Sequence, residues 1–505
     1  MRKTKKIAGA FALLTVFEVF TRFVSFVFKI YLSRTLGAEA LGLYQIALSV
    51  FFLFASFSSS GIPTVLSRKT AESNALNKDK PYRLFSAALI LGVSISLSLV
   101  IVLALLNTRL TFLFSEPLAL PLFLIMIPAL CSTAVYNVVR GWFWGEKDFT
   151  AFSITEMVEE LLRVLFSVLF ITGVFGALSG VYAISYAFTV SDVIVAIILL
   201  VLYFAKGGKI TKPADLKTIF VPSLPVTMMR VCGSLFATLI AFILPLRLMK
   251  FGMAADEATA YFGRIAGMAN PLLFAPNAII GSLCVVLIPE MSASMAKKEF
   301  EKLNKQLLLG INFAFLISGL FIVAYSSMGS EITSILYKDS ESGIYLQIAT
   351  FSMIPTCMMA ITQSALNSIG KEYPSFVNYL VGNFFMITAI FILPKFIGIF
   401  AVAVATFIGS LISSTLNYLS LRKATGLDSS FAKYAIMVII FVLPCSLLTK
   451  WTFGLIAPYM PKILSVGIAL MLGMLCYALL CLITNVLNVR GVILERFAKL
   501  KTRKA

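Results

Sequence analysis

The sequence predicts an all-α, polytopic integral membrane protein of about fourteen transmembrane helices, arranged as two six-helix lobes plus two C-terminal helices. Three observations lead there. Of the 505 residues, 59% are hydrophobic and 13% charged, with a mean hydropathy of +0.96; the charged share is about half that of a soluble domain. The apolar residues gather into runs long enough to cross a hydrocarbon core of about 30 Å as helices. These runs are continuous and lack the weak alternation of a membrane β-barrel.

In chain order the spans are expected near 7–33, 42–66, 84–106, 117–139, 150–173, 177–205, 219–246, 258–289, 306–327, 344–368, 375–394, 398–420, 431–449 and 462–485. The first follows Arg2, Lys3, Lys5 and Lys6, as a signal peptide's core would. It runs past Lys29 without a small-residue cleavage site, so it reads as a retained span. The connecting loops are too short to form an extramembrane domain. Expected boundaries are 1–205 for the first lobe, 206–421 for the second, and 422–505 for the appended pair with its basic tail.

An even span count puts both ends on one side. Twenty-nine of the 42 Lys and Arg residues fall in the N-terminus, the even-numbered loops and the C-terminal tail; eight fall in the alternate loops and five within spans. Both termini are therefore expected on the cytoplasmic side. The net charge of +19 reads as an orientation signal that also meets anionic headgroups, and no nucleic-acid partner is expected.

Composition also limits the chemistry. The chain has no histidine, which excludes Ser-His hydrolysis, His-dependent acyl transfer and His-ligated metal or haem. It has no phosphate-binding G-x-x-x-x-G-K-[ST] run, hence no ATP motor of its own. The seven cysteines (Cys131, Cys232, Cys284, Cys357, Cys445, Cys476 and Cys481) lie in apolar stretches and read as packing residues rather than a disulfide framework or metal knuckle. No cofactor and no catalytic residue are assigned.

An internal repeat is visible. Thr21-Arg22 leads through Gly37 to Leu43-Tyr44, and Met229-Arg230 leads through Gly252 to Ala260-Tyr261. A second match sets Arg140-Gly-Trp-Phe-Trp-Gly145-Glu146-Lys147 against Leu366-Asn-Ser-Ile-Gly370-Lys371-Glu372, each at a turn between helices. The offset is six spans. Because six is even, the halves run in the same direction, as in transporters built from parallel repeats.

Ten ionisable residues fall inside spans: Glu18, Arg22, Lys29, Glu156, Glu159, Glu160, Arg163, Asp192, Arg230 and Arg264. Each is costly in lipid and is expected to face a partner or a watery cavity. Glu18, Arg22, Ser25 and Lys29 share one stripe of the first span, and Glu156, Glu160 and Arg163 share one of the fifth. Pairing of Glu18 with Arg22 and of Glu159 with Arg163, each at i,i+4, is the structural alternative. Arg22, Lys29, Arg230 and Arg264 outnumber the acids on their spans. That imbalance favours an anionic ligand, which arginine holds through bidentate hydrogen bonds. Glu18, Glu156, Glu160 and Asp192 are candidate proton or sodium coupling groups. Pro222, Pro225, Pro271 and Pro276 mark bends in the same helices.

Here the residues resemble a family. Thr21-Arg22-Phe-Val-Ser-Phe-Val-Phe-Lys29-Ile-Tyr-Leu-Ser-Arg34, then Gly37, Gly42-Leu-Tyr44 and Gly61-Ile-Pro63, are similar to the opening of stage V sporulation protein B-like polysaccharide exporters. These belong to the multidrug/oligosaccharidyl-lipid/polysaccharide (MOP) superfamily. The blocks from Arg140 to Arg163 and from Pro271 to Glu290 agree, so the likeness covers about residues 10–420.

The resemblance implies a bacterial plasma-membrane flippase that moves lipid-linked sugars outward for cell-envelope or spore-cortex synthesis. In the related lipid II flippases, spans 1, 2, 7 and 8 line a cationic cavity and two extra spans form a groove for the lipid tail. Arg22 and Arg264 match arginines of that cavity, whereas Phe28 and Lys29 stand where those flippases carry a second arginine and an acid.

The expected function is thus export of an undecaprenyl-diphosphate-linked saccharide by alternating access, with Arg22, Lys29, Arg230 and Arg264 as substrate ligands. Expected partners are the lipid-linked substrate, membrane lipids, H+ or Na+, and envelope-synthesis enzymes. A cation-coupled multidrug exporter is the alternative within the superfamily. A membrane-embedded glycosyltransferase or ligase and a non-transporting scaffold are alternatives of other classes.

Overall fold

Fixed φ/ψ and internal hydrogen bonding make the helix the one open-chain structure that leaves no backbone group unpaired in lipid, and the chain is built of helices. The computed structural model describes residues 2–75, 81–146, 148–173, 180–426 and 431–484. The basic tail from 485 onward and the side chain of Glu18 lie outside the described residues.

Nineteen α-helices are described: α1 (Arg2–Ser59), α2 (Ile62–Ala75), α3 (Pro81–Leu105), α4 (Ala119–Met126), α5 (Ala129–Gly145), α6 (Phe149–Ile171), α7 (Gly180–Ala205), α8 (Lys217–Lys250), α9 (Ala255–Gly263), α10 (Asn270–Leu273), α11 (Ala275–Ala296), α12 (Phe300–Tyr337), α13 (Glu341–Ala349), α14 (Met353–Ser368), α15 (Glu372–Ile392), α16 (Pro394–Ile397), α17 (Ala401–Thr425), α18 (Phe431–Ile456) and α19 (Lys462–Thr484). No strand is present among the described residues.

Several of these helices combine into spans. Ten are long and apolar enough to cross a membrane, or eleven with the pair α4–α5, which bends by 48°. The long α1 divides at Gly37 (φ 80, ψ 178), a conformation that only glycine adopts readily. The helix α6 has spanning length but carries Glu156, Glu159, Glu160 and Arg163. The segment from α9 to α11 is interrupted by a π-helical stretch, Arg264–Ala269, and by Pro271. Counted this way, the described helices account for the fourteen expected spans.

The chain separates into two compact units, one of Met1–Met249 with Met253–Gly263, the other of Lys250–Gly252 with Arg264–Ala505. This division falls later than the expected lobe boundary at 205, and α18 and α19 belong to the second unit. Close contacts to α1 explain why α8 and α9 join the first. Ser234 Oγ lies 2.6 Å from Ser56 Oγ, and Thr238 Oγ1 donates to the Ser49 carbonyl at 2.9 Å. Backbones meet directly where a Cβ on Gly42 would lie 2.1 Å from the Thr259 carbonyl oxygen and one on Gly263 2.0 Å from that of Ala38.

The repeat has a conformational counterpart at one of its two matches. Gly37 and Gly252 both have positive φ, 80° and 98°. Gly370 does too, at 76°, but its proposed partner Gly145 is the last residue of a regular helix.

In the first unit, α5 is held by close approach and aromatic packing. A Cβ on Gly141 would lie 2.6 Å from Pro63 Cα at the start of α2. Trp142, Phe143, Phe85 and Tyr203 form a buried cluster, with the rings of Phe85 and Tyr203 stacked at 3.9 Å. In the second unit, α12 carries α18 and α19. Tyr477 Oη donates to the Phe315 carbonyl at 3.3 Å beside Gly319, and the Ser326 and Ser446 hydroxyls are 2.9 Å apart. All seven cysteines are unpaired thiols.

Replacing Gly141 with Val should force Pro63 and α5 apart, at a cost of about 1–3 kcal/mol, and lower the melting temperature of the purified protein. A control, Gly467→Ala, adds a Cβ in open space and should leave it unchanged or slightly raised, by about 0.5–1 kcal/mol of helix propensity. Thermal unfolding followed by tryptophan fluorescence distinguishes the two.

Candidate functional site

Three helices of the first unit, α5, α6 and α7, bring the membrane charges together. On α6, residues three and four apart share a face, so Glu159, Glu160 and Arg163 meet. The Arg163 guanidinium donates to Glu159 Oε1 at 2.5 Å and to Glu160 Oε2 at 3.0 Å. Its Cζ lies 5.1 Å from the centroid of the Phe188 ring on α7, a favourable cation–π distance. The sequence-level pairing of Glu159 with Arg163 is thereby observed, with Glu160 added as a second partner.

On α7, Asp192 is 7% exposed. Its Oδ2 accepts hydrogen bonds from Ser132 Oγ at 2.5 Å and Thr133 Oγ1 at 3.1 Å, both on α5. Lys29 on α1 is in electrostatic range of Glu160.

Most of these groups, though not Glu160 or Lys29, border a cavity of about 400 Å³. Glu156, Glu159, Arg163 and Asp192 line it together with Arg140, Arg230, Tyr136 and Asn137. Ser56 and Ser60 of α1 and its neighbouring turn complete the polar wall, while Phe51, Phe52 and Phe188 supply the apolar one.

Hydropathy ends the fourth apolar run at 139 and sets Arg140 in the following turn. The structure places it on α5, one turn beyond Tyr136. Its Cζ lies 4.3 Å from the Trp144 ring centroid and 5.0 Å from that of Phe152. The Tyr136–Arg140–Trp144 spacing of four is the signal that could have kept it on the helix. Arg140 and Arg230 act electrostatically on each other, and neither forms an ion pair with a described residue.

The other expected ligands are elsewhere. Arg22 is exposed on α1 and does not line this cavity. In the second unit, Arg264 opens the π-helical stretch, its Nε donating to Asp339 Oδ2 at 2.9 Å and its Nη1 2.8 Å from Glu341 Oε2. Its charge is already matched, contrary to the argument that only acids on its own span could match it. Asp339 Oδ1 also accepts from the Ser342 backbone N–H at 2.7 Å, capping α13.

Removing one partner of a buried charge cluster costs about 3–5 kcal/mol, whereas replacing the whole cluster with neutral groups is close to neutral. Arg163→Leu should therefore sharply lower thermal stability and membrane yield. The combined Glu159→Gln, Glu160→Gln and Arg163→Leu variant should recover most of both. Equal stability of the two variants would show that Arg163 is not held by these carboxylates.

Comparison with known proteins agrees with the fold. The chain is 23% identical over 451 residues to stage V sporulation protein B of Bacillus subtilis (strain 168), covering 84% of this chain and 85% of that one. It is 23% identical over 433 residues to sporulation protein YkvU of the same organism, covering 82% and 94%. Among solved structures it matches the lipid II flippase MurJ in an inward closed conformation, with a TM-score of 0.76 at 15% identity, covering 95% of this chain and 100% of that one. It also matches an inward-facing multidrug resistance MATE family transporter of the MOP superfamily, with a TM-score of 0.70 at 18% identity, covering 81% and 95%. The fold is therefore that of MOP-superfamily transporters, and the protein is a multi-pass membrane protein. The family model described as polysaccharide biosynthesis protein matches residues 7–295, and the chain belongs to that family.

Proposed function

We propose that the protein is a flippase that translocates an undecaprenyl-diphosphate-linked saccharide from the inner to the outer leaflet of the bacterial plasma membrane. The observation that carries this reading is the Arg140–Arg230 pair facing the cavity of the first unit without a carboxylate partner among the described residues. Two like charges so placed repel, and a diphosphate relieves that repulsion while accepting bidentate hydrogen bonds.

Arg230 keeps the role expected of it, and Arg140 joins it as a ligand. Arg264 would bind the diphosphate by exchanging Asp339 and Glu341 for phosphate oxygens. Lys29, beside Glu160, would balance the acidic wall, and Arg22 would serve at an exposed stage of the passage. The isoprenoid tail would remain in lipid. A diphosphate carries about two negative charges, and crossing 100 mV, inside negative, favours outward movement by roughly 4–5 kcal/mol.

The proposed orientation has both termini in the cytoplasm, from the distribution of Lys and Arg. Buried Asp192, with Glu156 and Glu160, favours one further reading, cation coupling of the kind a drug exporter needs. In that case an inward H+ or Na+ gradient would drive loss of organic cations from loaded vesicles.

In proteoliposomes with labelled undecaprenyl-diphosphate saccharide, Arg140→Ala and Arg230→Ala should each slow translocation about 10–100-fold, the loss expected for a charge-assisted hydrogen bond of about 1.5–3 kcal/mol. Wild-type rates in both would overturn the assignment, and a new covalent product would point to an enzyme. Reporters fused to each terminus should both report the cytoplasm; a split result would remove the orientation and with it the inferred direction of transport.

A further inference from the structure

The segment that joins α7 to α8, residues 206–216, is a fixed strap within the first unit. Three hydrogen bonds tie it to the start of α3: the Ala214 N–H donates to the Arg83 carbonyl at 3.0 Å, the Thr211 N–H to Ser86 Oγ at 3.0 Å, and Arg83 Nε to the Lys212 carbonyl at 3.4 Å. Tyr203 ties it to α7. Its hydroxyl donates to the Lys209 carbonyl at 2.9 Å, and its own carbonyl accepts from the Gly208 N–H at 2.9 Å.

This ordered backbone displays cations in excess. Lys209 and Lys212 on the strap and Lys217 at the start of α8 are exposed, and with Arg83 they form no ion pair with a described residue. Two acids lie on the strap and its contacts. Asp148 holds Lys206, whose ammonium also lies 5.5 Å from the Phe143 ring centroid, and Asp215 accepts from the Lys217 backbone N–H at 3.1 Å. Asp215 therefore offsets one of the four cations at most, which leaves an excess of three. Elsewhere, exposed cations such as Arg68, Lys302 and Lys305 are paired with Glu72, Glu299 and Glu301.

The strap also stands at the end of an apolar stripe. Val193, Ile197, Val201 and Phe204 are exposed on α7 at spacings of four, four and three, which put them on one face. From Val193 to Phe204 the helix rises about 16 Å at 1.5 Å per residue, half of a hydrocarbon core of about 30 Å. That is the depth of one leaflet. Two residues beyond the stripe the strap begins, and Ile210 is exposed on it.

We infer that the strap binds an anionic phospholipid, its headgroup phosphate held by Arg83, Lys209, Lys212 and Lys217 and an acyl chain laid along the α7 stripe. Basic groups beside a membrane attract anionic headgroups. Here backbone hydrogen bonds gather four of them in advance, so an arriving headgroup has only side chains to order. The inference is independent of the flippase reading, because it concerns bulk lipid and not cargo.

The test is native mass spectrometry of the full-length protein in detergent, titrated with phosphatidylglycerol or with phosphatidylcholine. The first phosphatidylglycerol should bind at least about tenfold more tightly. The combined Lys209→Gln, Lys212→Gln and Lys217→Gln variant should lose that preference, and Arg at the same three positions should keep it. A Lys297→Gln, Lys298→Gln and Lys371→Gln variant, which removes the same charge from other loops, should keep it too. Equal losses in the two Gln variants would mean diffuse attraction to net charge, and no preference in the wild type would mean an orientation signal alone; either overturns the inference. It also fails if equimolar inorganic diphosphate displaces the phosphatidylglycerol, since the strap then takes a soluble anion, or if equimolar undecaprenyl diphosphate does, since it is then a cargo site.

Discussion

A charge placed in a membrane helix has to be matched by a partner or face a watery cavity, and that requirement organises the first unit. Arg163 is the clearest case. A lone guanidinium at this position would cost several kcal/mol, and here it is held by Glu159 and Glu160 on its own helix and by the Phe188 ring across from it. Two carboxylates on one arginine overshoot neutrality, and the surplus passes to the neighbouring elements. Lys29 on α1 answers Glu160, and the Ser132 and Thr133 hydroxyls answer Asp192. The matching is therefore local for Arg163 but shared among four helices for the whole set, which fixes α1, α5, α6 and α7 relative to one another.

That network needs α5 at a defined height, because α5 supplies donors to Asp192 at one level and Arg140 at another. Small residues set the height. Gly141 meets Pro63 and Gly145 meets the Thr70 side chain at distances that no Cβ could occupy. On its other side, Trp142 packs edge-on against Tyr203, whose hydroxyl donates to the Lys209 carbonyl at 2.9 Å. Apolar packing cannot drive helix association in lipid as it does in water. Close backbone approach and these few hydrogen bonds take its place.

Much of this was legible in the sequence, for identifiable reasons. The spans follow from composition, and the α6 cluster from spacings of three and four, which a helix converts directly into contact. Gly37 and Gly252 were legible as a pair because a break between two helices requires a conformation that glycine alone reaches easily. What could not be read was long-range pairing. Asp339 and Glu341 are 75 and 77 residues beyond Arg264, and only the folded second unit places them against it. Hydropathy sets Arg140 in a turn because it ends a run at the first charge, although the helix continues to Gly145 with Trp142, Phe143 and Trp144.

The two kinds of arginine found here differ in what anion binding asks of them. Arg264 is held by two carboxylates, so an incoming diphosphate replaces one set of anionic acceptors with another and the net change in electrostatic energy is small. Such an exchange frees Glu341 and also the Asp339 oxygen bonded to Arg264, while Asp339 Oδ1 still caps α13. Binding there would therefore be coupled to the turn between α12 and α13, where Lys338 already adopts a left-handed conformation at φ 59. Arg140 has no carboxylate partner among the described residues, and Trp144 and Phe152 hold its guanidinium in place by their rings. An aromatic cradle of this kind attracts the cation without satisfying its N–H donors, and the buried Nε of Arg140 has no hydrogen-bond partner among the described residues. Under the proposed function, a diphosphate reaching the cavity-facing side of Arg140 would displace no carboxylate of a described residue, whereas one reaching Arg264 would have to displace Asp339 or Glu341.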